Sequence, residues 1–347
     1  MSKNGSVLII VLWVIIILTI LAVSISVVAS SQVFLAKRYR NQAAAYFIAR
    51  AGMALCLAEL NRDKEANTYD ALNEEWSNKA ELFNDRPVGS GFLSLAYEYS
   101  NQLKTVSSEG ESAVTNTFYG MIDEERKINI NTASAAVLEA LFQTQASLTP
   151  GQAKEIADSI VDWRDPDDTR RENGAETGYY LSLSSSYPCK NNKFDILEEL
   201  ILVKGMRPEI FQAVRDFITI YGDGRVNINT APYPVLHALG PSEILAEKII
   251  RCRAGSDEVE GTEDDEVFTQ PSAIISALNK KQTLTQEETN QINTLITTNA
   301  IGVKSTYFQI VSSGYLADIN TGEKDLKNSK KITCIINRNG KIVFWQE

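Results

Sequence analysis

The sequence predicts an α+β chain. A long N-terminal helix, transmembrane in its first half and amphipathic in its second, packs on an antiparallel sheet that is interrupted by a large inserted all-helical domain. Three observations lead there. An uninterrupted apolar run opens the chain, strand-like alternation lies on both sides of a helical middle, and that middle contains an internal repeat.

The first element is "VLIIVLWVIIILTILAVSISVVA", Val7 to Ala29, in which Thr19 is the first polar residue. No charge occurs between Lys3 and Lys37. As a helix this run spans roughly 35 Å, enough to cross a bilayer. It is longer than an ordinary signal core, although the following "VVASS" leaves a cleaved secretory signal as an alternative. Beyond it, "QVFLAKRYRNQAAAYFIARAGMALCLAELNR" holds no Pro and a single Gly, so the helix is expected to continue to about Leu60. Phe34, Leu35, Tyr39, Ala43, Tyr46, Phe47 and Arg50/Ala51 form its expected apolar stripe.

Strands come next. Residues 61–90 read as polar and helix-like, with "RPVGSG" as a break. "FLSLAYEYS" and "NTFYGMIDEERKINI" then alternate, with aromatic and β-branched residues. Near the C-terminus "TYFQIVSSGYLADI" and "KKITCIINRNGKIVFWQE" do the same, and "NRNG" marks a hairpin. The predicted organisation is a leader at 1–5, the helix at 6–60, sheet at 61–126 and 301–347, and an inserted helical domain at 127–300.

Within the middle, "KININTASAAVLEALF" at 127–142 matches "RVNINTAPYPVLHALG" at 225–240. The Thr/Ser after the second Asn of the shared Asn-Ile-Asn-Thr-Ala is placed to cap a helix N-terminus, with Val137, Leu138, Leu141 and Phe142 as the buried face of the first copy and Val235, Leu236 and Leu239 of the second. The layout resembles helix-hairpin-helix modules. DNA-binding versions present a Gly-x-Gly hairpin to a phosphate, whereas "ASLTPGQ" and "GPSE" stand here. With a formal net charge of −10 and a pI near 4.9, no basic stripe offers itself to nucleic acid. The repeats therefore read as structural packing units.

His237 is the sole histidine, which argues against Ser-His-Asp hydrolysis and His-rich metal sites. Cys56, Cys189, Cys252 and Cys334 lie far apart without a CxxC pair. They can be buried thiols or two disulfides of any connectivity.

The leader "MSKNG", followed by an apolar helix that turns amphipathic, resembles type IV pilins and pseudopilins. With "SIVDWRDPDD", "NGAETGYY", "YPCKNNKFDILEELILVKGM" and "TIYGDGRVNINTAP", the chain resembles the type II secretion minor pseudopilin K family over nearly its whole length. The resemblance implies a pseudopilin fold, no enzymatic activity, and cleavage by a prepilin peptidase between Gly5 and Ser6, with Ser6 then N-methylated. It implies an inner-membrane anchor with a cytoplasmic N-terminus and a periplasmic domain, although Lys37, Arg38 and Arg40 after the apolar run favour the opposite sense by charge. It also implies partners: other minor pseudopilins, at the tip of a major pseudopilin filament, and not nucleic acid. The fifth mature residue is Ile10, where pilin-like subunits carry Glu. A lone carboxylate in the bilayer costs on the order of 3 kcal/mol. A subunit with none ahead of it has no free amine to pair with such a Glu, so Ile10 marks a tip position.

Family members bind calcium in the helical domain, and two acidic loops suit it. In "DPDDTRRENGAE", Asp165, Asp167, Asn173 and Glu176 follow part of an EF-hand spacing, with Arg170 where the EF-hand glycine would be and Asp168 as a further candidate ligand. Otherwise Asp165 and Asp168 would pair with Arg170 or Arg171. "GSDEVEGTEDDEVF" concentrates carboxylates, with Asp257, Glu263, Asp264 and Asp265 as candidate ligands. One or two calcium ions are expected. A helix-hairpin-helix receptor for DNA uptake and a signal-anchored hydrolase built on the acidic loops are the alternatives from other functional classes.

Overall fold

The computed structural model describes residues 3–102, 104–107, 110–113, 115–318 and 321–347. Helix α1 runs Lys3–Ala66, longer at both ends than the sequence reading. Of the expected leader, Met1 and Ser2 lie outside the described residues, and Gly5 and Ser6 belong to the backbone of α1. From Val7 onward the apolar half is exposed along its length, and it is long and apolar enough to cross a membrane. Burial starts further along, at Ala45, Ile48, Ala49, Met53, Cys56 and Leu60, on one helical face. The expected stripe is thus corrected: Phe34, Leu35, Tyr39 and Phe47 are exposed, because the sheet covers a different face and begins later.

After α1 come α2 (Ala80–Phe83), β1 (Arg86–Val88), β2 (Gly91–Leu95), β3 (Tyr97–Tyr99), β4 (Lys104–Ser107), β5 (Gly110–Ala113), β6 (Asn116–Phe118) and β7 (Ile122–Asp123). Between α1 and α2 the expected helical stretch is largely turns. Its side chains take up backbone groups that a helix would need: Glu74 accepts from the Ala71 N–H, and Asp70 from the Ser305 N–H.

The inserted region is two copies of one unit. The first is β8 (Ile128–Asn129), α3 (Ala135–Gln145), α4 (Pro150–Arg164), α5 (Thr177–Leu181), a 3-10 turn (Leu197–Leu202), α6 (Pro208–Val214) and β9 (Ile218–Thr219). The second is β10 (Val226–Asn227), α7 (Tyr233–Ala238), α8 (Glu243–Arg253), a 3-10 turn (Pro271–Ala273), α9 (Ile274–Lys281), α10 (Gln286–Thr297) and β11 (Ile301–Gly302). Each unit closes by a short parallel pair, β8 with β9 and β10 with β11. Capping residues set the helix starts: Ser134 and Ser242 accept from backbone N–H groups, and Thr149–Gln152 and Thr285–Glu288 form capping boxes. Leu138, Leu141, Phe142, Val235 and Leu236 are buried in one shared core.

The side chains that lock each unit also repeat. Asn131 exchanges two hydrogen bonds with the Phe194 backbone, and Asn229 does the same with Phe268. Arg164, ending α4, donates to the carbonyls of Ile130 and Ala133; Arg253, ending α8, donates to those of Ile228 and Ala231. Both acidic loops therefore follow the same helix of the repeat.

The last strands are β12 (Tyr307–Ala317), β13 (Lys324–Asn337) and β14 (Ile342–Gln346). The main sheet has the order β1-β2-β12-β13-β14, with β7 also on β12, and all these pairs are antiparallel. The "NRNG" turn joins β13 to β14, with Gly340 at φ 80°. One face of β12 (Phe308, Ile310, Ser312, Gly314) is buried toward α1, and Ser312 donates to the Ala49 carbonyl at 2.7 Å. A Cβ on Gly314 would fall on the Ala45 carbonyl oxygen, so glycine there lets helix and strand touch. The opposite face looks toward the helical units. Asp123 fastens the two regions: its Oδ2 accepts from Asn227, Thr230 and Ser305. Arg338, in the hairpin, reaches Asp63 at the end of α1 and Asp70 beyond it. The four cysteines are buried free thiols.

Candidate cation site

Helix α4 ends at Arg164, and the Asp165 N–H still donates to the Val161 carbonyl before the chain turns into the first acidic loop. Pro166 stops the helix from continuing. Asp167 then accepts from the Thr169 N–H at 2.7 Å, a local turn that sends the chain back along α4. Two carboxylates on α4 anchor the return: Asp162 accepts from the Arg171 N–H, and Asp158 accepts from the Asn173 amide at 2.9 Å. Gly174 fits closely over Asp162, where a Cβ would collide with its carboxylate. Glu176 is thereby carried inward, to 6% exposure.

The result is a cluster of oxygens. Asp165, Asp167 and Glu176 each place a carboxylate oxygen within 4.8 Å of the others. Asp165 Oδ1, both Glu176 oxygens and Asn191 Oδ1 are buried and have no donor. Asn191 holds a positive φ of 46° and donates through Nδ2 to Asp168. Strain of this kind persists only where surrounding contacts hold it. Burial, and then the charges of Asp162, Asp165 and Asp168, pushes the Glu176 carboxyl up to about 7. Burial likewise pushes Asp162 up to about 6. Trp163, next to Asp162 on α4, packs with Tyr180 and Tyr187, ring centroids 5.1–6.2 Å apart.

Clustered carboxylate oxygens, several of them buried without donors, suit a hard divalent cation such as Ca²⁺. The residues fit that group. They differ from the expected set in three ways. Asn173 turns to Asp158 instead, because the loop needs that anchor. Asp168 accepts from Thr177 and Asn191, which places it behind the cluster. Asn191, from outside the loop, holds Asp168 and keeps a buried Oδ1 without a donor, and nothing in the local spacing announces it. The alternative of Arg170 or Arg171 pairing with Asp165 or Asp168 is also corrected, since Arg171 lies 3.8 Å from Asp162.

The second acidic loop is not gathered in this way. Asp264 accepts from the Ser256 and Asp257 N–H groups and from the hydroxyls of Ser256 and Thr262, which holds its carboxyl well below the usual range. Asp257 accepts from the Val259 N–H and Asp265 from the Gly261 N–H, while Glu263 is exposed. Glu260, which pairs with Arg253 and Tyr99, supplies the buried charge balance. In this copy of the repeat, the loop's own donors stand where the first copy leaves bare oxygens. A third acidic group, Asp63, Asp70 and Glu74, has Arg338 against two of its members. Sequence reasoning missed it, because its three members sit in a stretch read as helix and the cation that answers them, Arg338, comes from the far end of the chain.

Residues 108–223 match the family model described as type II secretion system (T2SS), protein K. The chain is 22% identical to a putative type II secretion system protein K of Escherichia coli K12, over 66% of this chain and 65% of the relative. It is 29% identical to the type II secretion system protein K of Pseudomonas aeruginosa, over 49% of this chain and 46% of the relative. The matched part thus spans less than two thirds of these relatives. In fold, the chain is similar to a chain of the GspK-GspI-GspJ complex from the enterotoxigenic Escherichia coli type 2 secretion system, with a TM-score of 0.62, 17% identity, and coverage of 90% of this chain and 98% of that one. That likeness makes the architecture a pseudopilin fold with an inserted helical domain. By family model, relatives and fold together, what the chain is similar to is the type II secretion system protein K.

Proposed function

We propose that this chain is a minor pseudopilin that caps the tip of a type II secretion pseudopilus and helps initiate its assembly for export of folded proteins across the outer membrane. It is a structural subunit rather than an enzyme. The observation that carries the reading is the double character of α1: one continuous helix offers a bare apolar half of membrane length and then becomes the core of the sheet domain. A subunit of that shape stays anchored while its folded part stands clear of the membrane. The N-terminus faces the cytoplasm, the peptidase cuts between Gly5 and Ser6, and the sheet and helical units lie in the periplasm. Neighbouring minor pseudopilins are the partners, with the major pseudopilin filament below. The first acidic loop holds calcium through Asp165, Asp167 and Glu176, which fixes the end of α4 and the turn into α5. Ile10 on the exposed part of α1 supports the tip position.

The test is co-purification of the full chain from membranes with the neighbouring minor pseudopilins, for the native sequence and for Ile10→Glu. The reading expects a stable complex with the native chain and impaired secretion with the variant. Recovery of the chain alone, or unchanged assembly and secretion by Ile10→Glu, would contradict it.

A further inference from the structure

Between the outer face of the sheet and the helical units lies a cavity of about 500 Å³. Ile122, Phe217 and Val311 give it an apolar floor, and Arg126, Lys127 and Lys331 bring positive charge to it. Arg126 is only 9% exposed. Its guanidinium lies over the Tyr99 ring, 4.9 Å from the centroid, and makes no ion pair or hydrogen bond among the described residues. Stacking uses the face of the guanidinium and leaves its in-plane N–H donors free.

The buried carboxylates of this junction serve other donors. Asp123 serves Asn227, Thr230 and Ser305; Glu260 serves Arg253 and Tyr99; Glu124 pairs with Lys127 at 2.6 Å. The cavity's own acids, Glu98 and Asp216, are exposed, where water screens them. A mostly buried guanidinium with no protein acceptor leaves its donors to the water of the cavity alone. Its fork pairs favourably with a planar carboxylate.

We propose that this cavity is a docking site for a carboxylate carried on an apolar body, supplied by a partner protein as an acidic side chain or a chain terminus. Arg126 is the anchor, Lys331 on β13 adds charge at the rim, and the apolar floor receives the body of the ligand. Phosphate fits less well, since it has no apolar part to cover Ile122, Phe217 and Val311.

The test uses the detergent-solubilised full chain and three probes by calorimetric titration: N-acetyl-L-phenylalanine, its amide, and inorganic phosphate. The carboxylate binds saturably, and the amide and phosphate bind at least about tenfold more weakly. Arg126→Gln loses about tenfold or more in carboxylate affinity, and Arg126→Lys recovers part of it. Lys331→Gln, at an exposed position that does not burden folding, loses about two- to fivefold. Absence of saturable carboxylate binding, equal binding of amide or phosphate, or unchanged affinity in Lys331→Gln together with a folded Arg126 variant overturns the proposal.

Discussion

Glu125 shows what a single buried side chain contributes at the junction. Its Oε1 accepts from the Thr306 N–H at 2.6 Å and the Tyr307 N–H at 3.2 Å, fixing the entry into β12. Burial, with Asp123 beside it, pushes its carboxyl up to about 7. In the unfolded chain the same group titrates near about 4.3. The folded state therefore holds the proton more tightly, and this residue's contribution to stability falls as pH rises from about 4.3 to about 7. Glu125→Gln keeps the accepting oxygen and removes the charge. Urea unfolding should show it more stable than the native chain at pH 8 by on the order of 1–3 kcal/mol, with little difference at pH 4. An equal gain at both pH values would mean that the carboxyl does not titrate between the two states. Arg338 works the other way: its positive charge compensates Asp63 and Asp70, and its face covers Phe308 at 5.0 Å.

At the scale of elements, the two acidic loops make a controlled comparison. Both follow the second helix of a repeat, yet one leaves buried oxygens bare and the other satisfies its carboxylates internally. Calcium at 100-fold over its dissociation constant would stabilise the first by about 2.7 kcal/mol. The melting temperature should therefore rise by several degrees in excess calcium. Glu176→Gln should abolish most of that rise, while Asp264→Asn should leave it in place. A calcium-independent melting temperature in the native chain would remove the metal assignment. The contact between α1 and β12 is tested separately. Gly314→Val forces a side chain into the Ala45 carbonyl and should destabilise by about 1–3 kcal/mol or more. Gly151→Ala, whose Cβ meets nothing within 4 Å, serves as the control and should not destabilise. Equal effects of the two would show that helix and strand are not in close contact.

Across the whole molecule, what was legible in the sequence is what repeats or alternates. The apolar run, the hairpin at "NRNG" and the doubled Asn-Ile-Asn-Thr-Ala are periodic or local signals, and each corresponds to an element found in the fold. Features made by pairing across the chain left no such trace. Asn191 reaches its loop from beyond α5, Arg338 meets Asp63 from the far end of the sequence, and the stretch after Ala66 has a helix-like composition but spends Asp70 and Glu74 on distant or non-helical backbone groups. The second acidic loop misled for a related reason, since composition counts carboxylates but not the N–H groups that answer them.

The central claim is that α1 is retained as an anchor and filament core. Intact-mass measurement of the chain recovered from the membrane tests it most directly. The account predicts the loss of residues 1–5, with Ser6 as the new N-terminus bearing one methyl group. A mass corresponding to cleavage near Ser30, with the apolar half of α1 gone, would contradict it.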